Sequence, residues 1–332
     1  MSLVQKVAGL FVWGFDGTGL SPRHKSLLKR LSPTGLILFK RNIKGRRQVR
    51  TLVRGLQAAS AEELLIGIDE EGGRVRRLPE SYLGYPPAKF WGETYRKEGP
   101  REVFDAGKRL GRKLLSLGIN TDFAPVLDVN SNPKNPIIGD RAFSDDPEIA
   151  AAGSLAFWRG MRSAGLIGCG KHFPGHGDTK SDSHKTLPRV GKSRAALERL
   201  EFYPFRRAIA AGIPMLMTAH VVYDDLDKKL PATLSPKILL TLLRRRMGFK
   251  GVVISDDLQM KAISKKYSEA EAAVSALEAG CDILLVCRRW EEIGEKVMAA
   301  VAKEISKSAV LRGRLEEALG RISHLKRRYL GR

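Results

Sequence analysis

Short, strongly apolar runs recur along this 332-residue chain, separated by longer and more basic segments with helical periodicity. The runs cover 7–14, 36–39, 64–69, 120–125, 167–172, 215–220, 251–256 and 282–287. Runs this short and this apolar read as strands buried on both faces, and the helix-like stretches between them read as crossovers, so the sheet they build is parallel. Eight strand–helix units predict an α/β fold, a closed (β/α)8 TIM-type barrel. In such barrels chemistry gathers at the C-terminal ends of the strands, so polar residues there carry more meaning than elsewhere. Several runs end in them: Asp69, Asp128 shortly after Pro125, Lys171-His172, His220 and Asp256.

The intervening segments are punctuated as helices. Ser21-Pro22 and Ser235-Pro236 each offer an N-cap followed by a proline at the first helical position, and Gly248 and Gly280 stand where left-handed caps fall. The stretch 311–329 is amphipathic and basic, and is expected to close the barrel from outside. Hydrophobic residues make up 43% of the chain, enough for one large core, and no linker, repeat or low-complexity tract divides it, so residues 1–332 are expected to form a single domain.

The chain carries 58 Lys and Arg against 36 Asp and Glu, a formal net charge of +22. Nucleic acid, anionic lipid and acidic wall fragments are the partner classes such a field attracts. The basic residues are spread through every expected helix without interleaved aromatics, which reads as a generally basic surface with no dedicated nucleic-acid partner. The apolar stretch near the N-terminus is short, interrupted by Gly9 and Gly14, and lacks a cleavage pattern, and no apolar run is long enough to span a membrane. A cytoplasmic protein is expected. Cys169, Cys281 and Cys287 have no metal-ligand spacing and are expected as small core residues.

The densest chemistry is Lys171-His172-Phe173-Pro174-Gly175-His176-Gly177-Asp178, followed by Asp182-Ser183-His184. A metal-dependent hydrolase using His172, His176 and Asp178 is one reading, but Pro174 and Gly175 break any helical spacing between the histidines. No metal and no cofactor is expected. Asp182 stands two residues from His184, where a carboxylate can orient an imidazole as a proton shuttle, although the same three residues suit an ordinary solvated loop. The apolar run 251–256 ends in Ser255-Asp256-Asp257. Asp256 suits a nucleophile at an anomeric carbon, and Asp257 suits a helix cap. The Gly72-Gly73 pair permits a turn that brings Asp69 and Arg77 toward one pocket, where a carboxylate can bind sugar hydroxyls.

Taken together, Gly14-Phe15-Asp16-Gly17-Thr18, 35–43, 68–77, Ile138-Gly139-Asp140-Arg141-Ala142-Phe143, 171–184 and Ser255-Asp256-Asp257-Leu258-Gln259-Met260 closely resemble family 3 glycoside hydrolases, in particular the bacterial β-N-acetylhexosaminidases of cell-wall recycling. The resemblance runs in order through most of the chain. It implies a retaining exo-β-N-acetylglucosaminidase acting on terminal N-acetylhexosamine of peptidoglycan-derived fragments. Asp256 would form the glycosyl-enzyme, and His184, assisted by Asp182, would serve as acid/base. Asp69, Arg77, Arg141, Lys171 and His172 would hold the sugar ring. Departures are few: Asp178-Thr179 replaces the small residues of many relatives, and Asp69-Glu70-Glu71 has a glutamate where many have glutamine. The competing reading from another class is a non-catalytic amino-sugar or polyanion-binding barrel.

Overall fold

A computed structural model describes residues 1–180 and 186–331. Eight parallel strands form its centre: β1 (Phe11–Gly14), β2 (Gly35–Leu38), β3 (Leu65–Ile68), β4 (Thr121–Asp122), β5 (Ile167–Phe173), β6 (Met215–Thr218), β7 (Val252–Ile254) and β8 (Leu284–Val286). They pair in the order β8-β1-β2-β3-β4-β5-β6-β7, and a parallel bridge between Ile254 and Ile283 joins the two ends of the sheet. The expected α/β barrel is therefore present, with helices packed around it. Every barrel-strand residue is buried, as a parallel sheet covered by helices outside and filled by side chains inside requires.

β1 and β8 approach tightly at their C-terminal ends. A methyl group on Gly14 at the end of β1 would lie 2.0 Å from the carbonyl oxygen of Cys287, just past β8, so the two strand ends come this close only without a side chain. At the other end of β8 the buried Asp282 accepts the Val253 amide at 2.8 Å and is flanked by Arg244 and by Arg321. Arg321 belongs to the helix Ala309–Tyr329, which packs on helices Glu269–Ala279 and Trp290–Lys307 over the outside of the barrel.

The first run was read one turn too early. Residues 7 and 8 end a helix, Leu3–Ala8, whose entry is fixed by a reciprocal cap: the Ser2 hydroxyl accepts the Gln5 amide, and the Gln5 side chain accepts the Ser2 amide at 2.8 Å. The run 120–125 pairs regularly only at β4, but Val126 bridges Lys171 and the Leu127 amide donates to the Lys171 carbonyl, so this segment follows β5 farther than β4 itself does. Ser21 caps the helix Pro22–Leu31 through its hydroxyl at 3.1 Å from the His24 amide, as its Ser-Pro pair predicts. The three cysteines are buried and free. No helix among the described residues is long and apolar enough to cross a membrane.

Candidate active site

Beyond β3 the chain turns sharply through Gly72 and Gly73, both at positive φ, and Gly72 bridges Val75. Along the segment leaving β3 the side chains alternate, so Asp69 and Glu71 face one way and Glu70 the other. Asp69 accepts from Arg77, across the turn, at 3.1 Å and from Lys171 on β5 at 2.8 Å. Glu71 receives Arg141 through two hydrogen bonds of 2.8 Å, and Lys171 at 2.7 Å. Lys171 thus bridges two carboxylates while almost fully buried. Burial alone would push both carboxyls up. The charges of Lys171 and Arg77 instead hold Asp69 below the usual carboxylate range, and those of Arg141 and Lys171 do the same for Glu71. Both are anions near neutral pH, and Lys171 stays a cation because the two acids outweigh its burial.

Glu70 turns into the protein. Its Oε2 accepts the backbone amides of Arg77 at 2.9 Å and Leu78 at 3.0 Å, and its own amide donates to Asp122 of β4. It therefore ties the far end of the turn to the barrel interior. Burial raises its carboxyl to about 7 and also raises Asp122 well above the ordinary range.

Consecutive residues of a strand point to opposite faces, so Lys171 and His172 cannot both face one pocket in a regular β5. The register of β5 against β6 slips by one residue between Gly170 and Phe173, and this bulge lets both side chains line the same cavity. His172 is oriented by the fully buried Asp128, which accepts from its Nδ1 at 2.7 Å and also receives the His172 and His176 amides. Burial opposes ionisation of Asp128, but His172 and these donors hold its carboxyl below the usual range. The Asp128 partner keeps the proton on His172 Nδ1, leaving Nε2 toward Arg141 at 3.4 Å. His176 lies beside it, with Nδ1 at 2.9 Å from the Thr179 hydroxyl, and is pushed down to about 4 by burial and by His172.

Asp256 follows β7. The Asp257 amide donates to its Oδ1 at 2.8 Å, while Asp257 accepts the amides of Gln259 and Cys287, a structural role that fits its capping position. Burial raises Asp257 to about 6, with the neighbouring Asp256 adding to the effect. His220, beyond β6, holds the Asp257 carbonyl at 2.9 Å through Nε2. A carbonyl only accepts, so Nε2 carries the proton.

These residues meet in one cavity of about 410 Å³ at the C-terminal mouth of the barrel, lined by Asp69, Arg77, Arg141, Lys171, His172 and Asp256 together with Glu71, Arg74, His176 and Met217. Six of the eight site residues expected from sequence are brought together. The other two, Asp182 and His184, lie outside the described residues. Glu71, Arg74 and His176 were missing from the sequence-derived site. Strand alternation was the available signal for Glu71, because a residue two beyond Asp69 shares its face. A groove of about 500 Å³ at the opposite end of the barrel, lined by Ile213, Phe249, Arg321 and Tyr329, contains none of this chemistry. Among the described residues, no group of three or more His, Cys, Asp or Glu is placed to hold a metal, and Asp178 pairs with Lys192 at 3.2 Å.

Residues 3–325 match the glycosyl hydrolase family 3 N terminal domain. The chain belongs to this family. It is 39% identical over 289 residues to a beta-hexosaminidase of Alkalilimnicola ehrlichii, spanning 86% of this chain and 82% of the relative. Beta-hexosaminidase A of Pseudoalteromonas piscicida is 36% identical over 332 residues; the match takes in 93% of this chain but 56% of that protein, little more than half its length. Among solved structures, a family 3 beta-N-acetylglucosaminidase from Paenibacillus sp. str. FPU-7 superimposes with a TM-score of 0.93 at 40% identity, over 99% of this chain and 63% of the other. NagZ from Neisseria gonorrhoeae in complex with N-trifluoroacetyl-D-glucosamine gives 0.81 at 32% identity, over 95% and 98%. The family 3 barrel thus accounts for the strand order and for a polar cavity at the C-terminal mouth.

Proposed function

We propose that this chain is a retaining exo-β-N-acetylglucosaminidase that removes terminal N-acetylglucosamine from peptidoglycan-derived fragments in the cytoplasm, with the whole barrel acting as one domain. The observation that carries the reading is a single cavity in which a carboxylate from the end of β7, Asp256, faces a ring of paired cations and carboxylates. Asp69 and Glu71 are already charge-balanced by Arg77, Arg141 and Lys171, so their remaining lone pairs and the cation N–H groups suit sugar hydroxyls and an acetamido group. Asp256, at the end of β7, is the carboxylate to which the family resemblance assigns the chemistry. In the proposed mechanism it attacks the anomeric carbon while an acid protonates the leaving oxygen, and water then releases the sugar from the glycosyl-enzyme. We assign acid and base to His184, oriented by Asp182, following the family resemblance of the Asp-Ser-His triplet.

Incubation with a slow, fluorinated aryl N-acetylglucosaminide followed by peptide mass mapping tests this assignment. The expected result is one sugar adduct on the peptide containing Asp256, absent from Asp256→Ala. Turnover without any adduct, or an adduct elsewhere, overturns the double-displacement assignment.

A further inference from the structure

Residues 17–61 contain eleven Lys and Arg and no Asp or Glu, so half of the +22 net charge sits in about one seventh of the chain. The fold gathers this segment into one wall. Helix Pro22–Leu31 and helix Arg46–Ala59 pack side by side on the outside of the barrel, with the residues following β2 at their upper edge. Their apolar stripes, Leu27, Leu28 and Leu31 on one and Val49, Leu52, Val53 and Leu56 on the other, are buried against the barrel. Ten of the eleven cations are turned outward. Arg23, Lys25, Lys29 and Arg30 are exposed on the first helix, Arg46, Arg47, Arg50 and Arg54 on the second, and Lys40 and Lys44 above them. Ion pairs neutralise little of this: Arg30 meets Glu295, and the half-buried Arg41 meets Asp16.

We propose that this wall docks the protein on an anionic lipid bilayer. The cations are spread over two neighbouring helices, and only Lys29 and Arg30, at the end of the first, also line a groove, which they share with Glu62 and Glu63. A linear polyanion follows one helix, whereas a charged plane meets both. The exposed residues between the cations, Pro22, Ser26 and Thr51, offer no aromatic ring on which a nucleic-acid base could stack, and the Tyr82 ring beside the wall is already covered by the Arg46 guanidinium at 4.5 Å. They also offer no large apolar side chain for insertion; the exposed ones, Met1, Phe90 and Val310, lie in other segments. The attachment is therefore electrostatic, peripheral and reversible by salt. It draws on none of the cavity residues and stands apart from the proposed glycosidase activity.

The test is co-sedimentation of the full chain with vesicles of phosphatidylcholine alone and of phosphatidylcholine with about one third phosphatidylserine, at roughly 0.05 M and 0.5 M salt. Because any strongly basic protein is drawn to anionic vesicles, the comparison that matters is between two variants of equal charge. One is Arg47→Glu/Arg50→Glu/Arg54→Glu on the wall; the other is Arg207→Glu/Arg245→Glu/Arg246→Glu, exposed elsewhere. The wall variant is expected to lose at least about tenfold in affinity for the anionic vesicles, and the control variant less than about threefold. Hydrolysis of an aryl N-acetylglucosaminide, expected to be unchanged in both, reports folding, and circular dichroism does so if the wild type proves inactive. Equal loss in the two variants overturns the proposal in favour of undirected charge. Tighter, wall-dependent binding to a DNA duplex than to the vesicles overturns it in favour of a nucleic-acid partner.

Discussion

Glu71 shows how much of the cavity is held by a residue that performs no chemistry of its own. It meets Arg141 with both oxygens and Lys171 with one, so two cations that face the sugar take their positions from one carboxylate. Glu71→Gln keeps the shape but loses one acceptor and the charge. It is expected to lower kcat/KM for an aryl N-acetylglucosaminide by roughly tenfold to a hundredfold, mostly through KM, as steady-state kinetics would reveal. An unchanged KM would remove Glu71 from sugar positioning. Glu70 belongs to the same turn but answers to pH. Its folded pKa is raised from 4.5 to about 7, so the stability it contributes is complete below about 4.5 and is lost as pH rises through 7. His176 works in the opposite sense: its folded value falls from 6.5 to about 4, so its contribution is present above 6.5 and is lost as pH falls toward 4. Glu70→Gln removes only the first effect. Urea unfolding at about pH 5 and about pH 8 should show the wild type losing on the order of 2–3 kcal/mol relative to the variant over that interval. Parallel pH profiles would contradict the assignment.

At the scale of elements, the turn after β3 and the bulge in β5 decide what the cavity contains. Gly72 has φ +90, and a methyl group there would lie 2.4 Å from the Pro86 carbonyl oxygen. Gly72→Ala should destabilise the fold by about 1–3 kcal/mol and raise KM by displacing Arg77, with thermal unfolding and kinetics as the readouts. A normal KM in a destabilised variant would separate the turn from Arg77. The same two elements mark where the sequence was legible and where it was not. Asp69, Lys171-His172 and Asp256 end apolar runs, so their place at the mouth of the barrel could be read from pattern alone. Arg141 and Arg77 came from resemblance and from the Gly-Gly turn. Asp128 was visible at a strand end, but its hold on His172 was not, because it depends on residues 120–127 following β5 beyond the short β4. The bulge was equally hidden, since a one-residue slip against β6 leaves no mark on the periodicity of β5 itself. The first strand was misplaced because the apolar residues Val7 and Ala8 suit a buried helix end as well as a strand, and the Ser2–Gln5 cap decided between them.

For the whole molecule, closing the barrel and placing Asp256 opposite the paired ions are one event, because β7, which carries Asp256, meets β8 at the seam. Asp282 lies fully buried there with Arg244 and Arg321 around it. Asp282→Ala leaves these guanidinium groups and the Val253 amide without their shared partner, and should cost about 3–5 kcal/mol, measurable as a lower urea midpoint. A midpoint shift below about 1 kcal/mol would show that the seam is held by strand pairing alone. The measurement that bears most directly on the central claim is chromophore release from an aryl β-N-acetylglucosaminide beside the matching aryl β-glucoside, with Asp256→Ala as control. The account predicts turnover of the acetylated substrate, little or none of the glucoside, and loss of activity in the variant. Turnover of neither substrate by the folded protein, or undiminished activity in Asp256→Ala, would contradict it.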